Sequence, residues 1–487
     1  MAIRTRFSRS FLFSNYSKSN FRNALGSRRN VQISRRACSK FQIPGYSLNV
    51  SRLSPNEVTS TIRANEYSQD FPTGPVKSYD TNQLASNNPI EDTRAEGKSL
   101  LSDAFLVGVF DGHAGAACAQ VLAKRLFKYV AASLLSGEEI SKLHTSLRDG
   151  GESRIIDYFN DRYEFVNELK SLYAQSFGKY VEDLASGQST ASIPNVPEAL
   201  VTSFLRLDSD ISREASTDLQ GSKTLSVSMS GAVACVAVIQ ACHLHVATVG
   251  DCQAVVGIMT ESKTWAAKKV SIEHNSDNME EVERILSEHP PGEKTKIIER
   301  ERLLGQLAPL RAFGDFRYKW SREELERLAV PRYGKTVIAP HYETPPYLTA
   351  KPDVMYHRIT PKDKFLVIAS DGLWDLLSPL QVVRMVGEHM SGRAALSPLR
   401  LPHNMKLKDI NTILEQRKDG LNKVPVDRNG ATHLIRNALG GSEYGGVEHS
   451  RISQLLSLPQ DVVRLFRDDI TITVVYFDSD YISHCPL

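Results

Sequence analysis

The sequence predicts an α+β sandwich, in which helices pack on the outside of β-sheets. Strand-like segments occur in runs, and pairs of helical segments separate these runs, unlike the regular alternation of a parallel α/β fold. No GxGxxG or GxxxxGK[ST] motif is present, so no nucleotide-binding loop of these types is predicted. The 487 residues are 41% hydrophobic and 24% charged, as in globular proteins. No uncharged apolar run approaches the roughly 18 residues that a membrane helix needs.

The first half of the chain contains one strong strand and two helices. Residues 46–100 are mixed and polar and end in a loop of candidate ligands. The apolar run 104–110 (AFLVGVF) predicts a buried strand, and the amphipathic sequence that follows it, to about residue 135, predicts a helix. Residues 137–195 are polar and partly helical, and residues 197–215 predict the second helix.

The second half is richer in strands. Alternating or continuously apolar segments predict strands, the first two joined as a hairpin, at 230–239, 244–249, 253–258, 265–272, 364–369 and 469–477. Apolar residues at helical spacing predict helices at 278–289, 372–389, 429–439 and 448–456. Residues 318–350 are predicted to be irregular, and the basic stretch 393–428 is predicted to be a long loop, which is often functional or insertional.

Residues 1–45 predict a targeting segment. They are rich in Arg and Ser, and no acidic residue precedes Glu57. This is the composition of a mitochondrial or plastid transit peptide, and a disordered basic tail is the alternative. Eleven positive charges precede Glu57, so the rest of the chain carries −8 against an overall charge of +3. The basic pI therefore describes the leader, and nucleic-acid binding by the folded body is not expected.

Several carboxylates lie where an apolar strand meets a turn. Hard divalent cations prefer such oxygen ligands, and several like charges that converge need a cation to offset their repulsion. Where an Asp precedes Gly, the backbone carbonyl can also approach a ligand. Each Asp taken singly is equally explained as a turn residue or helix cap. The candidates are Glu91 and Asp92 (PIED), Asp111 (VFDGHAG), Asp251 (VGDCQA), Asp371 (ASDGLWD) and Asp468 (FRDDITI).

His113 lies two residues after Asp111. A histidine in this position can donate a proton beside a metal-bound water. A histidine that makes a structural hydrogen bond is the alternative. The sequence thus offers one candidate general acid next to the candidate metal ligands.

At these residues the chain resembles the metal-dependent Ser/Thr protein phosphatases of the PP2C type (PPM family). The match extends over about residues 60–478 and implies a β-sandwich of two antiparallel sheets flanked by helix pairs, with family-specific insertions. The motifs occur in the family's order: ED at 91–92, DGH at 111–113, SGxxA at 230–234, GD at 250–251, RAFGD at 311–315, DGLWD at 371–375 and RDD at 467–469.

The resemblance implies a binuclear centre of Mg²⁺ or Mn²⁺. Asp111 matches the carboxylate that bridges the two ions, and Asp371 and Asp468 match the other ligands of one of them. The carbonyl of Gly112 matches a ligand of the second ion. A metal-activated water is then expected to attack the phosphorus of phosphoserine in line, without a phosphoenzyme.

The remaining site residues have secondary roles in this resemblance. Glu91 and Asp92 contribute to the metals directly or through water, and Asp251 matches a carboxylate tied to a third, weaker metal. His113 matches the proposed general acid, which protonates the departing serine oxygen.

The sequence departs from the typical family pattern at two places. The position four residues before Glu91, which usually holds an Arg that clamps the substrate phosphate, is Asn87. Because an Asn offers no charged bidentate fork, weaker phosphate binding at this substrate-binding position is expected. The usual GDSRA reads GDCQA, with Cys252 and Gln253, and its effect on activity is left open.

A narrower likeness is to the pyruvate dehydrogenase phosphatase group within the family, which also has Asn at the position of Asn87. It is carried by RANEYS, NNPIED, PPYLTAKPDV, ATHLIRNALG and FRDDITI. It implies a catalytic subunit in the mitochondrial matrix that dephosphorylates the E1α component of the pyruvate dehydrogenase complex and docks on the lipoyl domains of the E2 core. A regulatory subunit is left open.

The expected domain organisation follows from the leader and the resemblance together. It comprises a transit peptide at 1–45, a phosphatase domain at 46–480 with inserts near 137–195, 318–350 and 393–428, and a tail at 481–487. Three alternatives remain: a phosphatase of another matrix protein, an inactive scaffold of the same fold, and a metal-dependent phosphodiesterase or nuclease, which the negative body disfavours.

Overall fold

The computed structural model describes residues 52–151, 154–159, 169–187, 195–216, 221–396, 399, 405–421, 425–441 and 447–485. The predicted transit peptide lies outside these residues, as do parts of the predicted inserts and of the tail. No helix within the described ranges combines the length and the apolar character needed to cross a membrane.

Two antiparallel β-sheets form the centre of the molecule, which confirms the predicted α+β sandwich. The strands are β1 Tyr67–Asp70, β2 Val76–Leu84, β3 Thr93–Ser99, β4 Phe105–His113, β5 Ile156–Tyr158, β6 Gly231–Gln240, β7 His243–Val249, β8 Gln253–Met259, β9 Trp265–Lys269, β10 Ile298–Glu299, β11 Arg302–Leu303, β12 Phe313–Gly314, β13 Asp353–Arg358, β14 Asp363–Ala369 and β15 Ile470–Phe477. One sheet has the order β1-β2-β15-β14-β8-β9, and the other has the order β13-β7-β6-β4-β3-β5, with the short β12 beside β6. β10 and β11 form a separate hairpin.

Helices cover the outer faces of both sheets. The helices are α1 Pro55–Arg63, α2 Ala117–Ser133, α3 Gly137–Arg148, α4 Lys170–Gly187, α5 Val196–Ser216, α6 Gly221–Met229, α7 Met279–Glu288, α8 Lys294–Ile297, α9 Arg322–Glu324, α10 Val330–Tyr333, α11 Asp371–Trp374, α12 Pro379–Leu396, α13 Leu407–Leu421, α14 Gly430–Gly440, α15 His449–Leu456 and α16 Ser479–Ser483. α2 and α5 pack on the sheet that contains β4 and β6, and α12 and α14 pack on the sheet that contains β9 and β15. Shorter 3₁₀ or π turns span Phe316–Tyr318, Leu325–Ala329, Lys335–Val337 and Val463–Leu465.

The strongly apolar segments form the elements that were predicted for them. The run 104–110 becomes β4, whose first six residues are all buried, and 230–249 becomes the β6–β7 hairpin. The helix predicted at 278–289 is α7, and the side chain of Asn278 caps it by accepting a hydrogen bond from the amide of Glu281. Full burial of each large apolar side chain stabilises such elements by about 1.5–3 kcal/mol.

The predicted helix 372–389 is two helices in the structure. α11 ends at Trp374 and α12 begins at Pro379. Ser378 and Gln381 form a reciprocal cap at this point, with the amide of Ser378 donating to Gln381 Oε1 at 2.9 Å and the amide of Gln381 donating back to Ser378 Oγ. Such a cap, with Pro at the first helical position, begins a new helix.

Two segments were predicted with too little regular structure. Residues 46–100 contain α1 and β1–β3, because the polar side chains of β2 are satisfied inside the protein: Thr81 Oγ1 donates to the carbonyl of Ile472 at 2.9 Å and Asn82 Nδ2 to that of Ile62 at 2.8 Å. The prediction of a loop throughout 393–428 is wrong, since this stretch contains the end of α12 and all of α13. α13 packs against α12, which supplies the stabilisation that its weak pattern does not indicate.

Candidate active site

Asp111 lies near the end of β4 and is half-buried. The strand pairs with β6 so that Asp111 is opposite Val233 and His113 is opposite Gly231. Because the preceding residues of β4 are buried between neighbouring strands, the position of the Asp111 carboxylate is fixed by the core.

Four other aspartates lie close enough to Asp111 for their charges to act on it. Burial raises the pKa of Asp111 well above its ordinary value, and the negative charges of Asp92, Asp371, Asp251 and Asp468 raise it further. These residues come from four separate loops or strand ends. Such a concentration of like charge favours a bound cation.

Asp92 is buried directly before β3 and has an incompletely satisfied carboxylate. Burial raises its pKa to about 7, together with the charge of Asp469, and hydrogen bonds from Ser370 and Thr471 oppose this rise. Its Oδ2 has no hydrogen-bond partner among the described residues. A buried oxygen of this kind is available to a cation or a water.

Gly112 allows the Glu91–Asp92 segment to lie against the end of β4. A Cβ at Gly112 would be 2.4 Å from the carbonyl oxygen of Glu91, so a larger residue does not fit. The Glu91 carboxylate is held from two sides, by the amide of Gly115 at 2.7 Å and by Arg464 Nη1 at 2.9 Å. Glu91 is thus next to the site but is engaged in protein contacts.

Asp371 and Asp468 are brought together by the pairing of β14 and β15. Ala369 is opposite Ile472 in the sheet. The pairing continues beyond the strand, because the amide of Ser370 donates to the carbonyl of Thr471 at 3.1 Å and the amide of Thr471 donates to Ser370 Oγ at 3.0 Å. The two aspartates therefore flank one strand edge.

Asp469, which the sequence analysis did not select, organises the loop that carries Asn87 and Glu91. One carboxylate oxygen accepts hydrogen bonds from the amides of Ser86 and Asn87, and the other accepts from Asn87 Nδ2 at 2.9 Å and from the amide of Glu91 at 2.8 Å. In the RDD motif, Asp468 therefore faces the carboxylate cluster, and Asp469 is a buried anchor.

Asp251 is positioned by a histidine that sequence reasoning also missed. His274 Nδ1 accepts a hydrogen bond from the amide of Gly250 at 3.1 Å, and its Nε2 contacts Asp353 Oδ2 at 2.8 Å. The following residue, Cys252, is fully buried, and burial together with the charges of Asp111 and Asp251 raises the pKa of its thiol well above the ordinary value. Cys252 thus packs behind the carboxylates.

His113 Nε2 makes a short contact with Asp315 Oδ2 of the RAFGD motif. Burial lowers the pKa of His113, but the charge and hydrogen bond of Asp315, with further contributions from Glu91 and Asp251, raise it above the ordinary value. Gly231 leaves room for the pair, since a Cβ there would lie 2.1 Å from His113 Nε2. The arrangement favours a protonated imidazole beside the carboxylates.

The donors present fit a hard divalent cation. They are carboxylate oxygens, one of them buried and unpartnered, next to a glycine carbonyl. Within the described ranges, no three His, Cys, Asp or Glu side chains close around one point as ligands of a single ion. Mg²⁺ needs fewer side-chain ligands than three, since it commonly binds one or two carboxylates and keeps several waters.

Comparisons with known proteins identify the family. A family profile described as Protein phosphatase 2C matches residues 160–407. The chain is 41% identical to [Pyruvate dehydrogenase [acetyl-transferring]]-phosphatase 1, mitochondrial, from Bos taurus and from Homo sapiens, over 88% of this chain and 84% of each relative. The chain belongs to the protein phosphatase 2C family. It is therefore a protein serine/threonine phosphatase of the pyruvate dehydrogenase phosphatase group.

Other similar proteins belong to the same family. The human phosphatase 2 of the same name is 39% identical over 89% of this chain and 85% of that relative. Among solved structures, the serine-threonine phosphatase 2C from Toxoplasma gondii has a TM-score of 0.40 at 16% identity, covering 85% of this chain and 99% of that one. Protein phosphatase 2C enzymes generally depend on Mg²⁺ or Mn²⁺.

Proposed function

We propose that this phosphatase removes phosphate from phosphoserine on the E1α component of the pyruvate dehydrogenase complex and so reactivates the complex. The observation that carries the chemistry is the convergence of Asp92, Asp251, Asp371 and Asp468 on Asp111 beside a histidine. The target is supported by relatives at 41% and 39% identity whose names give pyruvate dehydrogenase as substrate.

The metal centre is proposed to hold two Mg²⁺ or Mn²⁺ ions. Asp111, Asp371, Asp468 and the Gly112 carbonyl are the groups that would hold these ions. When bound, such ions supply a hydroxide nucleophile near neutral pH and neutralise charge on the phosphoryl oxygens. Asp251 is assigned to a third, weaker site.

The other site residues position groups and move a proton. Glu91 and Asp92 would help to hold the ions, directly or through water. His113 protonates the departing serine oxygen, which is a poor leaving group, and Asp315 keeps the imidazole charged and oriented for this transfer. Asn87 is proposed to lie on the substrate-binding side of the site. In the structure its side chain forms hydrogen bonds with Asp469 and Arg464.

The proposed location is the mitochondrial matrix, because the relatives are named mitochondrial and residues 1–45 have the composition of a transit peptide. The phosphatase domain is then 46–480, with the inserts as candidate docking surfaces for the lipoyl domains of E2 and with 481–487 as a tail. A regulatory subunit stays open, and no nucleic-acid partner is expected for the negatively charged body.

The first experiment measures phosphate release from phosphorylated pyruvate dehydrogenase complex by the chain without its leader, in Mg²⁺ and in EDTA. Metal-dependent release that is faster than from free phosphopeptides supports both the chemistry and docking on the core. Release from peptides but not from the complex contradicts the target and leaves the phosphatase. No release from either substrate supports an inactive scaffold, with Gln253 as the first residue to revert.

A second experiment tests the assignment of Asp111. We expect Asp111→Asn to lower turnover of a phosphoserine peptide by about 100-fold or more, because the neutral amide cannot hold two divalent cations. The measurement is kcat at saturating Mn²⁺, with Asp149→Asn, an exposed residue at the end of α3, as control. Near-wild-type turnover of Asp111→Asn would contradict the proposed centre.

A further inference from the structure

Arg464 is a partly exposed arginine next to the carboxylate cluster. It lies in the 3₁₀ turn Val463–Leu465, and 42% of its side chain is exposed. Glu91, Asp468 and Asp469 are all within electrostatic range of its guanidinium. Because a phosphate dianion is repelled by the carboxylates, a fixed positive charge at this edge of the site changes the energy of substrate approach.

The guanidinium is attached to the protein through one nitrogen. Nη1 donates to Asn87 Oδ1 at 2.8 Å and to Glu91 Oε2 at 2.9 Å. The hydrogen bonds that Arg464 makes with described residues all come from Nη1, so its Nε and Nη2 edge makes none of them. This edge is the part of an arginine that binds two oxygens of a phosphate in parallel.

The residues that hold Arg464 are themselves fixed. Asn87 Nδ2 and the amide of Glu91 both donate to Asp469 Oδ2, at 2.9 and 2.8 Å, and Gly115 holds the other Glu91 oxygen. Arg464 is thus oriented before substrate arrives, which reduces the conformational entropy lost on binding. Asn87 serves as a support for a guanidinium supplied from elsewhere in the chain.

The neighbouring Arg467 is less suited to this role. Its Nη2 donates to the carbonyl of Ala85 at 2.6 Å and its Nη1 to that of Asp468 at 3.5 Å. Burial lowers the pKa of Arg467 to about 10. Its guanidinium therefore connects two backbone segments, whereas the Nε and Nη2 edge of Arg464 makes no hydrogen bond with a described residue.

We propose that Arg464 binds the phosphoryl group of the substrate and takes the place of the arginine that the Asn87 position lacks. This assignment rests on the proposed phosphoserine phosphatase function. On this assignment the positive charge comes from the segment that precedes β15 and not from the loop before β3, so phosphate affinity is retained despite Asn87.

The test compares Arg464→Ala and Arg464→Lys with wild type, with Arg148→Ala as a matched control on exposed α3. Steady-state kinetics are measured with p-nitrophenyl phosphate and with a phosphoserine peptide, together with the inhibition constant of inorganic phosphate and the activation constant of Mn²⁺. For Arg464→Ala we expect KM and the phosphate inhibition constant to rise by about 10- to 100-fold on both substrates, because a charge-assisted hydrogen bond is lost. Arg464→Lys restores part of this loss, since it keeps the charge without the fork.

The Mn²⁺ activation constant separates phosphate binding from a structural role. If Arg464 merely holds Glu91 in place, Arg464→Ala changes the Mn²⁺ activation constant and leaves phosphate inhibition unchanged, and the proposal is overturned. If wild-type protein is active and Arg464→Ala shows unchanged KM and phosphate inhibition, the proposal also fails. Wild-type protein that hydrolyses neither substrate overturns the proposed function itself.

Discussion

His113 and Asp315 form an ion pair, and we propose that proton transfer to the leaving group depends on it. The two residues are brought together across β6, where Gly231 gives them room. Without the Asp315 charge, burial alone would lower the pKa of His113. The pair therefore determines the pH range over which the imidazole is protonated.

We predict that Asp315→Asn moves the basic limb of the pH–rate profile to lower pH, by about one unit. A general acid works in its protonated form, and a lower pKa means that this form is lost earlier as the pH rises. The measurement is kcat against pH with p-nitrophenyl phosphate. Asp149→Asn, at an exposed position after α3, is the control, and an unmoved basic limb in Asp315→Asn argues against His113 as the acid.

At the scale of residues, the sequence identified the groups that carry charge but not the groups that hold them. Asp111 and Asp371 were recognisable because each follows a strongly apolar strand and precedes Gly. Asp469, His274 and Arg464 were not, because each acts on a residue far away in the sequence, and neither spacing nor composition records such pairings.

α14 packs its buried face against α12 and places His433 beside His389, with ring centroids 5.0 Å apart. Burial, together with the charge of the neighbouring His389, lowers the pKa of His433 to about 4. In the unfolded chain the same side chain titrates near 6.5. The unfolded state therefore binds more protons between these two values, and the contribution of His433 to stability is lost as the pH falls through this window.

We predict that His433→Gln reduces the acid destabilisation of the protein. From pH 7.5 to 5.5 the wild type should lose about 1 kcal/mol more of its free energy of unfolding than the variant does. Urea unfolding at both pH values measures this difference. His341→Asn, an exposed position with φ of 58° that Asn tolerates, should behave as wild type, and equal losses in wild type and His433→Gln would refute the assignment.

At the scale of elements, apolar pattern predicted β4, the β6–β7 hairpin, α5 and α7 closely. The failures included β2 and α13. β2 is buried yet carries Thr81, Asn82 and Gln83, whose polar groups are satisfied by neighbours that the sequence does not reveal. α13 gains its stability from packing on α12, which local propensity does not report.

At the scale of the whole molecule, repulsion within the carboxylate cluster destabilises the folded protein. Asp92 has a pKa of about 7 in the folded protein, above that of an unfolded Asp, so keeping it charged at neutral pH destabilises the metal-free fold. A cation that binds the folded state offsets this cost and stabilises the protein by mass action.

We predict that Asp92→Asn raises the melting temperature in EDTA by about 2–5 °C, and that it reduces the rise which millimolar Mg²⁺ produces in wild type. Differential scanning calorimetry with and without Mg²⁺ measures both effects. Asp149→Asn serves as the exposed control. A lower melting temperature of Asp92→Asn in EDTA would show that the cluster is not under charge repulsion.

At this scale, the runs of strands predicted a sandwich but not the order of strands within each sheet. β15 lies between β2 and β14, and its pairing with β2 joins Ile470 to Leu84 across most of the described chain. Pairings of this kind depend on the whole set of buried faces, so local patterns do not specify them.

The central position of β15 has a consequence for how the enzyme is made. A growing polypeptide acquires β2, β4 and β14 first, yet neither Asp468 nor the anchor Asp469 exists until the segment around 470 has been synthesised. Until then β2 and β14 expose unpaired edges, which are prone to association with other chains. On the proposed assignment of Asp468, an incomplete chain lacks part of the metal site, and the interval before β15 is synthesised is the period when these edges are unpaired.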